Sequence, residues 1–144
     1  VNASAHALAL AILTLMPRTD PIRAEYQATV IASVVADEAE GAALVVTAAH
    51  ESGFGWDYET CRAHGDGGDG LYGLGFGYES FACGSPEVQA RGAVRALRDK
   101  GWPARPLRAF RGYLGAPSDN WPEAKARLSL WVITLERMRC MCSF

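Results

Sequence analysis

The chain has 144 residues, 49% of them apolar, and a formal net charge of −2. That length and apolar share suit one domain with a real core, taken as residues 1–144, and exclude a disordered chain. The near balance of 14 basic and 16 acidic residues disfavours a nucleic-acid binder held by counterion release. No apolar run approaches the roughly 18 residues that a bilayer span needs. The longest, Ala7 to Met16, is stopped by Pro17 and has no basic region before it, so it reads as a buried helix rather than a signal-peptide core.

Helix punctuation sets out the rest in order. Ser4 caps a first helix with Leu8, Ile12 and Leu15 on one face. Asp20-Pro21 opens a second, which carries Tyr26, Val30 and Val34. A third runs from about Ala39 to Glu51. Ser85-Pro86-Glu87 opens a fourth, with Ala90, Val94 and Leu97 inward and Gly101 as its stop. A short helix covers Pro106 to Leu114, and Asn120-Trp121-Pro122-Glu123 opens the last, with Ala124, Leu128, Trp131, Leu135 and Met138 at 3–4 spacing. No segment alternates over strand length, so any β structure is a small hairpin within Gly65 to Tyr78. The expected fold is mainly α, a helical domain with one glycine-rich loop.

Glu51 stands out. In the third helix Leu44, Ala48 and Glu51 recur at i, i+4 and i+7, which puts a carboxyl group on an apolar face at a helix C-terminus. Burial and the negative end of the helix dipole both oppose its ionisation. A carboxylic acid kept protonated near neutral pH is what general acid catalysis at a glycosidic oxygen needs. After it come Ser52-Gly53-Phe54 and the stretch Gly65-Asp66-Gly67-Gly68-Asp69-Gly70-Leu71-Tyr72-Gly73-Leu74-Gly75-Phe76-Gly77-Tyr78.

This order resembles the catalytic domain of soluble lytic transglycosylases and goose-type lysozymes, where an apolar helix ends in Glu-Ser-Gly-Phe and a Gly-Leu-aromatic-Gln loop follows. The resemblance implies a lysozyme-like fold, and a muramidase that cuts the β-1,4 bond between N-acetylmuramic acid and N-acetylglucosamine. It makes Glu51 the catalytic acid, Ser52 its neighbour, and Gly73-Leu74 the Gly-Leu of the loop, with Tyr72 just before. Gly75 and Phe76 stand where the family has an aromatic residue and a glutamine. Phe110 and Arg111 stand where it has tyrosine and asparagine, and Tyr113 is a substitute if the register shifts. Cleavage without water, giving 1,6-anhydromuramic ends, needs one carboxyl group. A hydrolase of inverting type needs a second, for which Asp66 and Asp69 are the candidates, although Asp-Gly pairs are also common turn formers. The resemblance implies Ser52, Tyr72, Gly73, Leu74, Tyr78 and Phe110 as substrate-binding residues, with Tyr72 and Tyr78 expected to touch substrate. The implied protein is a cofactor-free monomer acting on peptidoglycan strands, periplasmic or secreted, or phage-encoded and acting on the wall. A start at Val1 rather than Met fits removal of an upstream segment.

Three other readings compete. Phe54 replaces the second histidine of a zincin motif after His50-Glu51. Cys61, His64 and Cys83 offer three zinc ligands without a fourth. A glycan-binding or structural module on the same scaffold is the third; Arg91, Arg95 and Arg98 share a face of the fourth helix, as a solvated face or an anion contact. The four cysteines, Cys61, Cys83, Cys140 and Cys142, allow two disulfides in three pairings, with Cys61–Cys83 favoured because it clamps the glycine-rich stretch.

Overall fold

A computed structural model describes residues 3–53, 70–74 and 77–140. Among them there are seven helices and no strand: α1 (Ala5–Leu15), α2 (Pro21–Val34), α3 (Glu38–Glu51), α4 (Glu79–Ala82), α5 (Pro86–Asp99), α6 (Pro106–Leu114) and α7 (Pro122–Cys140). The mainly α expectation therefore holds. The hairpin expected within Gly65–Tyr78 lies largely outside the described residues. The short α4 was not foreseen: it is a single turn, too short to show a periodic face.

Local chemistry explains the helix starts. Ser4, Asp20, Asp37 and Ser85 each accept a backbone N–H of the first turn, from Ala7, Ile22, Glu40 and Val88 respectively, satisfying donors that have no partner within the helix. Pro21, Pro86, Pro106 and Pro122 stand at the first helical position, where no N–H is needed. Gly115, at φ 67°, closes α6 in the left-handed conformation that a side chain disfavours.

Helix α3 is the axis of the molecule. Residues 40–49 are all buried, and the helix packs against α1, α2, α5 and α7. Small side chains make this possible: a Cβ on Gly41 would lie 3.1 Å from Leu8 Cδ2 of α1. One hydrophobic cluster joins Leu8, Ile12, Ile31, Leu44, Val45, Leu97 and Phe110. At one end, Trp102 meets Trp131 edge-on at 5.2 Å and Phe110 at 6.0 Å. Trp131 Nε1 donates to Ala39 O at 2.9 Å, fixing α7 on the start of α3. On α2, Val30 and Val34 pack half-buried against the core. Ala24, Ala28 and Ile31 are buried, whereas Tyr26 is exposed. The close approach of α1 and α2 selects the small-residue face of α2 over its larger aromatic one.

Candidate active site

Glu51 is the last residue of α3. Its side chain is 26% exposed, and Oε1 accepts a hydrogen bond from Arg127 Nη2 at 3.0 Å. Arg127, on α7, has a side chain only 4% exposed. Its Nε donates to His50 Nδ1 at 3.1 Å. The sequence shows a carboxyl group whose ionisation burial and the helix dipole oppose; the structure adds a buried cation against it. Arg127 was missed, although it sits in the seam of Ala124, Trp131, Leu135 and Met138, where a charged residue already needs a reason.

The segment 70–74 comes to Glu51 through specific anchors. Gln89, buried on α5, accepts from Leu71 N at 2.8 Å and donates to Gly84 O at 2.8 Å. Tyr113 donates its hydroxyl to Tyr72 O at 2.6 Å. Leu71, Tyr72 and Leu74 plug into the core. Held this way, Gly73 lies against the carboxyl group: a Cβ there would sit 2.5 Å from Glu51 Oε2 and 3.1 Å from its Cδ. The φ of Gly73 is 59°, so both space and backbone conformation demand glycine.

Beside Gly73 runs a groove of about 330 Å³, walled also by Tyr78, Lys100, Gly112 and Tyr113. Tyr78 donates its hydroxyl to Asp99 Oδ2 at 2.8 Å. Burial, then the Asp99 bond, raises the pKa of that phenol. The Tyr113 phenol is held well above its ordinary value by burial and by Glu51, so both act as neutral hydroxyls.

Several expected contacts change. Tyr72 and Phe110 are 1% and 0% exposed, so neither side chain reaches a ligand in this structure. Tyr72 fills the core under the segment, with its hydroxyl unpartnered among the described residues, and Phe110 belongs to the tryptophan cluster. Tyr113 takes the place at the groove expected of Phe110, three residues along α6. Leu74 is buried at 2% and offers the groove no more than its edge. Ser52 is half-buried and its hydroxyl donates to Ala48 O at 3.1 Å, ending the helix. Gly73 and Tyr78 do border the groove. Arg111 pairs with Asp119 at 2.8 Å. Asp66, Asp69, Cys61, His64 and Phe76 lie outside the described residues. Cys83 and Cys140 are each disulfide-bonded, which removes Cys83 as a zinc thiolate.

The arrangement joins a partly exposed carboxyl group, a buried guanidinium and an imidazole, and Gly73 links them to a neighbouring groove of mixed polarity. Such a set suits proton transfer to and from a neutral, hydroxyl-rich ligand. Compared with known proteins, the chain matches no family model, no curated protein and no solved structure.

Proposed function

We propose that the chain cleaves the β-1,4 bond between N-acetylmuramic acid and N-acetylglucosamine of peptidoglycan, as a lytic transglycosylase with Glu51 as acid and base. The observation that carries this reading is Gly73 seated on the Glu51 carboxyl group at the edge of the groove. The two sequence features that suggested the chemistry, Glu-Ser-Gly and Gly-Leu, meet in space. In this reading Glu51 Oε2 gives its proton to the glycosidic oxygen as the bond to C1 breaks. Arg127 stabilises the carboxylate that remains. The carboxylate then takes the proton of the muramyl 6-hydroxyl as O6 closes on C1, leaving a 1,6-anhydro end and a free N-acetylglucosamine end. The step needs neither a metal nor an activated water. The setting is the periplasm, the cell exterior, or a phage acting on the wall.

A zymogram on peptidoglycan, wild type against Glu51→Gln, tests the reading. Clearing by the wild type alone, with products one water lighter than those of hydrolysis, supports it. Reducing-end muramic acid as the main product, with activity lost in Asp66→Asn or Asp69→Asn, assigns goose-type hydrolysis instead. A second reading rests on the Arg127–Glu51 ion pair. A carboxylate paired with a cation accepts hydrogen bonds and has no proton to give, as in a glycan-binding module. Glycan binding by the wild type with no clearing at any pH selects that reading.

A further inference from the structure

Arg127 does more than join two helices. Burying a cation costs several kcal/mol after relaxation, and the neighbouring seam positions Ala124, Leu135 and Met138 fasten α7 with apolar side chains. The guanidinium is instead aimed at two consecutive residues, His50 and Glu51, at the C-terminal end of α3, where the helix dipole favours a positive charge. Its third nitrogen group, Nη1, has no partner among the described residues.

This geometry fixes the chemistry of His50. A guanidinium only donates, so His50 Nδ1 must present a lone pair, and the neutral ring then carries its proton on Nε2. His50 is solvent-exposed, one residue before the carboxyl group. Burial and the Arg127 charge lower its pKa, against an opposing pull from Glu51, so the neutral ring is favoured. Glu51 is constrained in parallel: Oε1 is held by Arg127, and Oε2 faces Gly73.

We propose that Arg127 is the positioning residue of this site and that, through it, His50 is a second ligand-binding residue, a fixed Nε2–H donor for a hydroxyl or N-acetyl oxygen of the glycan. The proposal rests on the glycan reading of Glu51 and adds to it a group that the sequence offered only as the start of a zincin motif. One N–H donor aimed by a buried guanidinium selects an acceptor at a set distance from the bond that Glu51 cleaves.

Two measurements test it. Long-range proton–nitrogen NMR of the imidazole, above its titration, is expected to show His50 as the Nε2–H tautomer alone. In Arg127→Met it is expected to show a tautomer mixture and a titration moved to higher pH. A mixture in the wild type, or no change in Arg127→Met, overturns the positioning role without reference to any glycan. Affinity for a soluble oligomer of alternating N-acetylglucosamine and N-acetylmuramic acid is the second readout. His50→Ala is expected to weaken binding about tenfold, the worth of one hydrogen bond of roughly 1.4 kcal/mol. His50→Gln, which restores an N–H donor at similar reach, is expected to recover most of it. Wild-type binding left unchanged in His50→Ala overturns the ligand role alone. No binding by the wild type overturns that role together with the proposed function.

Discussion

Three carboxylates of α3 meet arginines, and two of the pairs, Glu40–Arg98 and Glu51–Arg127, are built in opposite senses. Glu40, near the N-terminal end, has its side chain 3% exposed, while that of Arg98 is 49% exposed. Glu51, at the C-terminal end, is 26% exposed, and Arg127 only 4%. Glu40 accepts from Arg98 Nε and Nη2 at 3.0 and 2.7 Å and from Ala36 N at 2.9 Å. It faces the favourable end of the helix dipole and has every reason to stay where it is. Glu51 receives one guanidinium bond, lies at the unfavourable end, and has no hydrogen bond to Oε2 among the described residues. In the first pair the anion is sealed and the cation meets water; in the second the cation is sealed and the anion looks outward. The first pair is a clamp, whereas the second leaves its carboxyl group open to solvent, as the proposed function needs.

The largest expected effect breaks the comparison at its functional half. Glu51→Gln keeps an acceptor for Arg127 but has no proton to give, and peptidoglycan cleavage is expected to fall about 10²–10⁴-fold. Glu40→Gln is expected to lower stability with far less effect on cleavage per folded molecule. Turbidity loss of a cell-wall suspension, normalised to folded protein, separates the two. Equal loss of specific activity in both variants would erase the distinction.

The arginines give the next largest contrast. Arg98→Met strands a sealed carboxylate and is expected to cost about 3 kcal/mol, the lower end for a broken buried pair because water reaches Arg98. Arg127→Met removes the buried cation itself, and Glu51 is open enough to be hydrated. Its stability is expected to stay within about 1 kcal/mol of the wild type or to rise, while activity falls. Urea unfolding of the two variants side by side measures this. A larger loss for Arg127→Met would make it the structural clamp.

Much of this architecture could be read from the sequence, because helix ends are written in local chemistry. Ser4, Asp20-Pro21, Ser85-Pro86 and Pro122 marked where helices begin, and Leu8, Leu44, Val94 and Met138 showed inward faces by period. Glu51 was legible for the same reason, as a charge on an apolar face. Its partner was not, since the Arg127 contact joins residues far apart in the chain and sequence alone does not say which face of α7 meets which end of α3. Nor was it visible that Tyr72 would be core and Tyr113 groove. Both are aromatic residues in glycine-rich surroundings, and only the Gln89 and Tyr113 anchors decide how the segment turns. On α2 period and size disagreed, and packing against α1 favoured Ala24 and Ala28 over Tyr26.

Gly73→Ala sharpens the same comparison with a smaller change. The added methyl meets Glu51 Oε2, and the φ of 59° costs an L-residue about 1 kcal/mol or more. Two outcomes are expected together: a loss of stability of about 1–3 kcal/mol by urea unfolding, and a drop in cleavage beyond what the unfolded fraction explains, because Glu51 is displaced. Wild-type specific activity in a destabilised Gly73→Ala would mean that the carboxyl group needs no fixed place.

The smallest effect is a pH dependence carried by His50. Its folded pKa lies below the ordinary value of 6.5, through burial first and Arg127 second, with Glu51 opposing. The unfolded chain therefore binds more protons than the folded one in the window between the folded value and 6.5. Stability falls as the pH drops through that window and levels off below it. Carboxylates begin to titrate nearby, so the informative quantity is a difference from His50→Asn, whose Oδ1 gives Arg127 an acceptor that does not titrate. Relative to that variant, the wild type is expected to lose stability as the pH falls below 6.5, by urea midpoints at a series of pH values. The same difference taken in an Arg127→Met background is expected to shrink without vanishing, because burial of the ring remains after the guanidinium has gone. A difference that keeps its full size there would mean that Arg127 and His50 do not sense one another, and that the cation under Glu51 serves the carboxylate alone.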